Sequence, residues 1–137
     1  RLQMEIFDGF ISAVAAEFKI PFHKGKNGTY TATLEFDNGR SQDILISLKK
    51  DEAGDRVINY KSVVAALKQD TWEFYKYCLQ QNLTFDYGAL ALDGNTLVVN
   101  NTMLLEGCEP RRFIKSLVYI AAKADEMEEI VARDDIN

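Results

Sequence analysis

Apolar residues recur at Leu2, Ile6, Phe7, Phe10, Ile11, Val14 and Phe18, while Gln3, Asp8, Ser12 and Glu17 lie largely off that stripe. This is the 3.6-residue period of an amphipathic helix, predicted over Leu2 to Lys19 and closed by Pro21, which drives the residue before it out of the helical region. From Thr29 to Phe36 the period drops to two, with Tyr30, Ala32, Leu34 and Phe36 on one side and Thr29, Thr31, Thr33 and Glu35 on the other. Such alternation predicts a half-buried strand. Asp37-Asn38-Gly39-Arg40 turns the chain, and Ile44, Ile46 and Leu48 continue the pattern on the returning strand. A further turn at Asp51 to Asp55 leads into a third strand over Val57 to Lys61, with Ile58 and Tyr60 on one face. The run from Ser62 to Gln69 fits either a helical turn or an apolar connector.

The second half carries the chain's most structured pattern. Asp70-Thr71-Trp72-Glu73 reads as a helix start with Asp70 as its cap and Glu73 reaching back. That helix has two apolar stripes, Trp72, Tyr75 and Leu79 on one side and Phe74, Tyr77 and Cys78 on another. A helix apolar on two sides needs cover on two sides, and with one sheet in the chain a second subunit is the simplest source of the other cover. Strands are predicted over Thr84 to Leu92 and Thr96 to Asn101, meeting at Asp93-Gly94-Asn95, and apolar residues on both faces of the first predict a central or interface strand. Pro110 suits the first turn of a last helix whose core stripe is Phe113, Leu117, Ile120, Ala121, Ala124, Met127 and Val131. The order is helix, three antiparallel strands, helix, two-strand hairpin, helix. It predicts a single α+β domain over residues 1–137, with helices packed on an antiparallel sheet.

At 137 residues and 47% hydrophobic the chain can build one continuous core. No apolar run approaches the ~20 residues that cross a bilayer, so a soluble protein without a membrane partner is expected. A chain opening on Arg1 is expected to have lost residues ahead of it. Two cysteines, Cys78 and Cys108, are too few for a disulfide framework and fit reduced thiols in the cytoplasm. The net charge is −5, and Asp125 to Asp135 alone carries that amount, so the rest of the chain sums to zero. No basic excess offers affinity for phosphate, which argues against a nucleic-acid partner. The last helix also runs against its macrodipole, with Arg111 and Arg112 at its start and Asp125, Glu126, Glu128 and Glu129 near its end. Each exposed placement costs about 0.3–1 kcal/mol, either tolerated at the surface or met by complementary charge on a partner.

Catalytic chemistry finds little to work with. His23 is the only histidine, which removes histidine relays and multi-histidine metal sites within one chain and leaves a solvated loop residue. Gly25 and Gly28 match no phosphate-loop pattern. Glu126 and Glu129 could share a helical face, but near a charged terminus they read as a solubilising acidic end. No catalytic residue, metal ligand or cofactor site is therefore expected. The alternative is a small-ligand or enzymatic domain that uses a pocket on the sheet face, lined by Tyr30, Tyr60, Tyr87 or Tyr119.

One stretch carries a family resemblance. The helix ending in Leu79-Gln80-Gln81-Asn82-Leu83, the segment Phe85-Asp86-Tyr87-Gly88-Ala89-Leu90-Ala91-Leu92, the Asp93-Gly94 turn into Leu97-Val98-Val99, and a final helix through Ala124-Asp125-Glu126 together resemble the type III secretion chaperone-like superfamily, YbjN-like proteins included. The resemblance implies a non-catalytic, cytoplasmic homodimer that binds an extended segment of another, unidentified protein, with a regulatory role on the YbjN-like side. It also implies pairing through the second helix and its neighbouring strand. The pairing candidates are Trp72, Phe74, Tyr75, Cys78 and Leu79, and the candidates for partner contact are Phe7, Phe10 and Val14 on the first helix and Leu45, the apolar exception on the polar face of its strand.

Overall fold

The computed structural model describes residues 2–68 and 70–134. Its elements run α1 (Leu2–Phe18), β1 (Phe22–Lys24), β2 (Tyr30–Glu35), β3 (Ser41–Lys50), β4 (Arg56–Ala66), α2 (Trp72–Asn82), β5 (Ala89–Asp93), β6 (Thr96–Leu104) and α3 (Pro110–Asp134). Among the described residues six strands form one antiparallel sheet in the order β1-β2-β3-β4-β6-β5. The α+β architecture of helices on an antiparallel sheet is the one the pattern predicts, with β1 as an added edge strand. Three residues, Phe22, His23 and Lys24, are too few to show a period, and only their pairing with Ala32, Thr31 and Tyr30 makes them a strand. His23 thus sits exposed on an edge strand instead of in a loop.

Other boundaries shift for identifiable reasons. The ambiguous run after Lys61 continues as strand to Ala66, and an irregularity between Val63 and Ala65 breaks the alternation there; Gln69, at the end of that run, lies outside the described residues. The cap of α2 is Thr71 and not Asp70: the Thr71 hydroxyl accepts from the Phe74 amide at 3.3 Å. The strand expected from Thr84 begins only at Ala89, and it is an edge strand, not a central one.

Helices α1 and α3 cover one face of the sheet. Phe7, Ile11 and Val14 of α1 meet Tyr30, Ala32, Ile44, Ile46 and Tyr60 of the strands, and every member of the predicted α3 stripe from Phe113 to Val131 is buried. Burying each such large side chain stabilises the fold by about 1.5–3 kcal/mol, so this face holds the domain together. At its centre the Tyr60 hydroxyl is shared with Ser116 Oγ and accepts from Asn101 Nδ2 at 2.8 Å, which satisfies a polar group that burial would otherwise penalise.

Charge fixes the two ends of this layer. Arg40, in the β2–β3 hairpin, donates from Nε to Asp125 Oδ1 at 2.7 Å and from its terminal nitrogen to Glu128 at 2.6 Å, with Glu129 at 3.2 Å from Nε. The acidic end of α3 is therefore not simply solvated: Asp125 is buried, and the complementary charge comes from the chain's own hairpin. Asp135 of that window lies outside the described residues. At the other end Asp8 of α1 accepts from Lys24 Nζ at 2.8 Å and from the Tyr30 hydroxyl at 2.6 Å.

The last cluster predicts an alkaline signature. Hydrogen bonds from Lys24 and Tyr30 hold the Asp8 carboxyl below its usual range, while burial and the bond to Asp8 push Tyr30 up to about 12. A raised phenol favours the protonated, folded form, so its stabilisation is complete below pH ~10, where the unfolded chain begins to ionise, and is lost as pH rises through about 12. Denaturant unfolding from pH 9 to 12 should show stability falling more steeply for the wild type than for Tyr30→Phe. Equal slopes would mean that the Tyr30 hydroxyl contributes nothing to that loss.

Candidate docking surface

The sequence leaves open which stripe of α2 faces inward, and the structure separates the two. Phe74 and Cys78 are buried, in one cluster with Leu90 and Leu97 of the hairpin. Tyr75 is half-buried at the boundary. Trp72 is 67% exposed, Leu79 71% and Leu83 92%, on a helix whose opposite side is already in the core. Positions 72, 79 and 83 recur at i, i+7 and i+11, so one stripe was visible in the sequence; Leu83 completes it and was not singled out there. Lys76 Nζ stands 5.5 Å from the centre of the Trp72 ring, and Lys76 and Gln80 are the polar residues that line this otherwise apolar face.

A shallow recess of about 260 Å³ links the helix to the hairpin, lined by Tyr75, Cys78, Leu79, Asn82, Leu92 and Leu97 among others. Leu92, 46% exposed on edge strand β5, carries the apolar surface onward. The connector before β5 is anchored from below: the Asp86 amide donates to the Tyr119 hydroxyl at 2.8 Å, and Tyr87 and Phe85 pack edge-on against the Tyr119 ring. Gly88, at φ 68°, lies so close to β6 that a Cβ there would come within 2.6 Å of the Asn100 carbonyl oxygen. The surface is thus held by rigid supports.

Several residues singled out from the sequence lie elsewhere. Phe74 and Cys78, offered for pairing, and Phe7 and Val14, offered for partner contact, all fill the chain's own core, because the stripes they belong to are the ones the sheet covers. Phe10 is half-buried and packs edge-on against Phe113 at 5.4 Å. Leu45 is 38% exposed, but on the sheet's uncovered face beside Thr31 and Lys61, so the structure does not bring it together with α1.

The tyrosines offered for a sheet-face pocket lie apart. Tyr30 and Tyr60 are buried under α1 and α3 with their hydroxyls engaged, whereas Tyr87 and Tyr119 pair at the α2–β5 connector, so the four tyrosines line no common pocket. Burial pushes both the Cys78 and Cys108 thiols up, away from the reactive thiolate. Among the described residues no group of three or more His, Cys, Asp or Glu is placed to hold a metal, and no helix is long and apolar enough to cross a membrane.

No family model and no curated protein matches the chain. Solved structures do. A chain of the HopA1–SchA chaperone–effector complex superposes with a TM-score of 0.64 over 94% of this chain and 98% of that one, at 11% identity. A chain of the ExsC–ExsE complex does so with a TM-score of 0.64 over 90% and 92%, at 14% identity. This chain thus shares its fold with a chain of each complex, over at least nine-tenths of the length of either.

Proposed function

We propose that this chain is a non-catalytic, cytoplasmic protein-binding module that pairs with a second copy of itself and holds an extended segment of another protein, in a regulatory setting of the YbjN-like kind. The observation that carries the reading is the stripe of Trp72, Leu79 and Leu83, apolar side chains left outside by a helix whose inner side is full. The fold supports it as well, since a structural neighbour is a chain of a chaperone–effector complex.

Magnitudes set how large a pairing surface has to be. Three large side chains from each copy would contribute about 9–18 kcal/mol at 1.5–3 kcal/mol apiece, against an association cost of about 4–15 kcal/mol. The lower end leaves nothing, so Tyr75 and Leu92 must join the interface for a stable pair. Phe74 and Cys78 have no part in it, since both are occupied inside.

Light scattering should give a dimer mass at micromolar concentration, and Trp72→Glu combined with Leu79→Glu should give a monomer with an unchanged circular dichroism spectrum. Both side chains are exposed, so the fold does not depend on them. A monomeric wild type, or a double variant that keeps the dimer mass, would remove the reading.

A further inference from the structure

We propose that Asn82 locks the outer edge of β5 against strand addition, so that any polypeptide arriving at this end of the sheet must bind through side chains of α2 and not by extending the sheet. The two-residue loop Gly94-Asn95 closes on the pair Asp93 and Thr96, whose main chains bond across the hairpin. Alternation then turns the main-chain groups of Ala91 and Ala89 toward β6 and those of Leu90 and Leu92 away from it. Outward-facing N–H and C=O groups are what an incoming strand recognises.

Leu90 is already taken. Asn82 Oδ1 accepts from the Leu90 amide at 2.6 Å, and Asn82 Nδ2 donates to the Leu90 carbonyl at 3.2 Å. The side-chain amide reproduces both bonds that a neighbouring residue of an added seventh strand would make, and asparagine is suited to this because it carries a donor and an acceptor on one planar group. Leu92 is the remaining outward position of β5, and it stands one residue from the turn. One position cannot anchor a strand, whose ladder repeats every second residue. The lock also explains why the last residue of α2 is Asn in the sequence Gln81-Asn82-Leu83: from that position the side chain reaches β5 while Leu83 points outward.

This inference is independent of the pairing reading, since it concerns what the β5 edge refuses, and the wild-type mass does not enter its test. Amide hydrogen exchange followed by NMR on the full chain reads it directly. In Asn82→Ala, Leu90 protection should fall about tenfold, the scale of one lost hydrogen bond, while Ala91, bonded to β6, keeps its own. Light scattering of the same variant should show larger species that grow with concentration, as an opened edge allows. Asn82→Asp retains the acceptor for the Leu90 amide, so Leu90 should stay protected there, and this variant carries the test where the alanine variant fails to fold. Undiminished Leu90 protection in Asn82→Ala, an unchanged mass for that variant, or an exposed Leu90 amide in Asn82→Asp would each overturn the proposal.

Discussion

Gly88→Ala is expected to destabilise the protein by roughly 2–5 kcal/mol, about 1–2 for placing an L side chain in the left-handed region and about 1–3 for forcing atoms into filled space. At φ 68° the new Cβ would meet the Asn100 carbonyl oxygen and the Ile120 Cδ1 atom, each at 2.6 Å. Ile120 can rotate, but the carbonyl belongs to the backbone of β6 and cannot move without disturbing the hairpin. Gly94→Ala separates the two contributions, because Gly94 has φ 61° with nothing within 4 Å of its Cβ position. Only the conformational cost should appear there. Thermal unfolding should therefore rank wild type above Gly94→Ala and Gly94→Ala above Gly88→Ala, with several degrees between the last two. Coincident midpoints for the two variants would mean that the close approach to β6 relaxes freely. Because Gly88 immediately precedes β5, the Gly88→Ala variant should also loosen the surface between α2 and the hairpin, while Gly94→Ala should leave it intact.

What the sequence makes legible is set by the length over which a period repeats. The stripe of α3 recurs through its 25 residues, and each member from Phe113 to Val131 is buried. Strands β2 and β3 alternate long enough to show their faces, and the Gly39, Gly54 and Gly94 turns announce themselves because each needs a positive φ. Short or imitated periods mislead. Phe85 and Tyr87 continue the spacing of β5 backwards, yet they are connector aromatics gathered around Tyr119, a residue of another element. The two stripes of α2 are equally oily, and which one turns inward depends on where Leu90 and Leu97 come to lie, a long-range fact. The same holds for Arg40 and Asp125, 85 positions apart in the chain and 2.7 Å apart in space. On the candidate surface Trp72, Tyr75 and Leu79 were legible as a stripe, whereas their exposure and the role of Asn82 depend on the folded hairpin.

Phe113→Ala should have the largest effect of any substitution considered, a loss of about 3–5 kcal/mol. Phe113 is fully buried, and its ring meets Phe10 of α1 edge-on at 5.4 Å and Tyr60 of β4 edge-on at 5.1 Å. It is therefore the point where α1, α3 and the sheet touch one another, and truncation opens a cavity bordered by two rings and by the Tyr60–Ser116–Asn101 hydrogen bonds. Domains of this size commonly have only about 5–15 kcal/mol of stability, so roughly a fifth or more of it rests on this ring. Phe10→Ala removes one of the same edge-on contacts from a residue that is only half-buried, and its cost should be clearly smaller. Urea unfolding should place the midpoint of Phe113→Ala well below that of Phe10→Ala, with Phe113→Leu between wild type and alanine. Were the two alanine variants equal, the junction of α1 with α3 would rest on both rings alike, and the central place given to Phe113 would be wrong. Because Trp72, Leu79 and Leu83 lie on the opposite side of α2 from this junction, the exposed stripe should lose its shape only when the whole domain unfolds, not in proportion to the loss at Phe113.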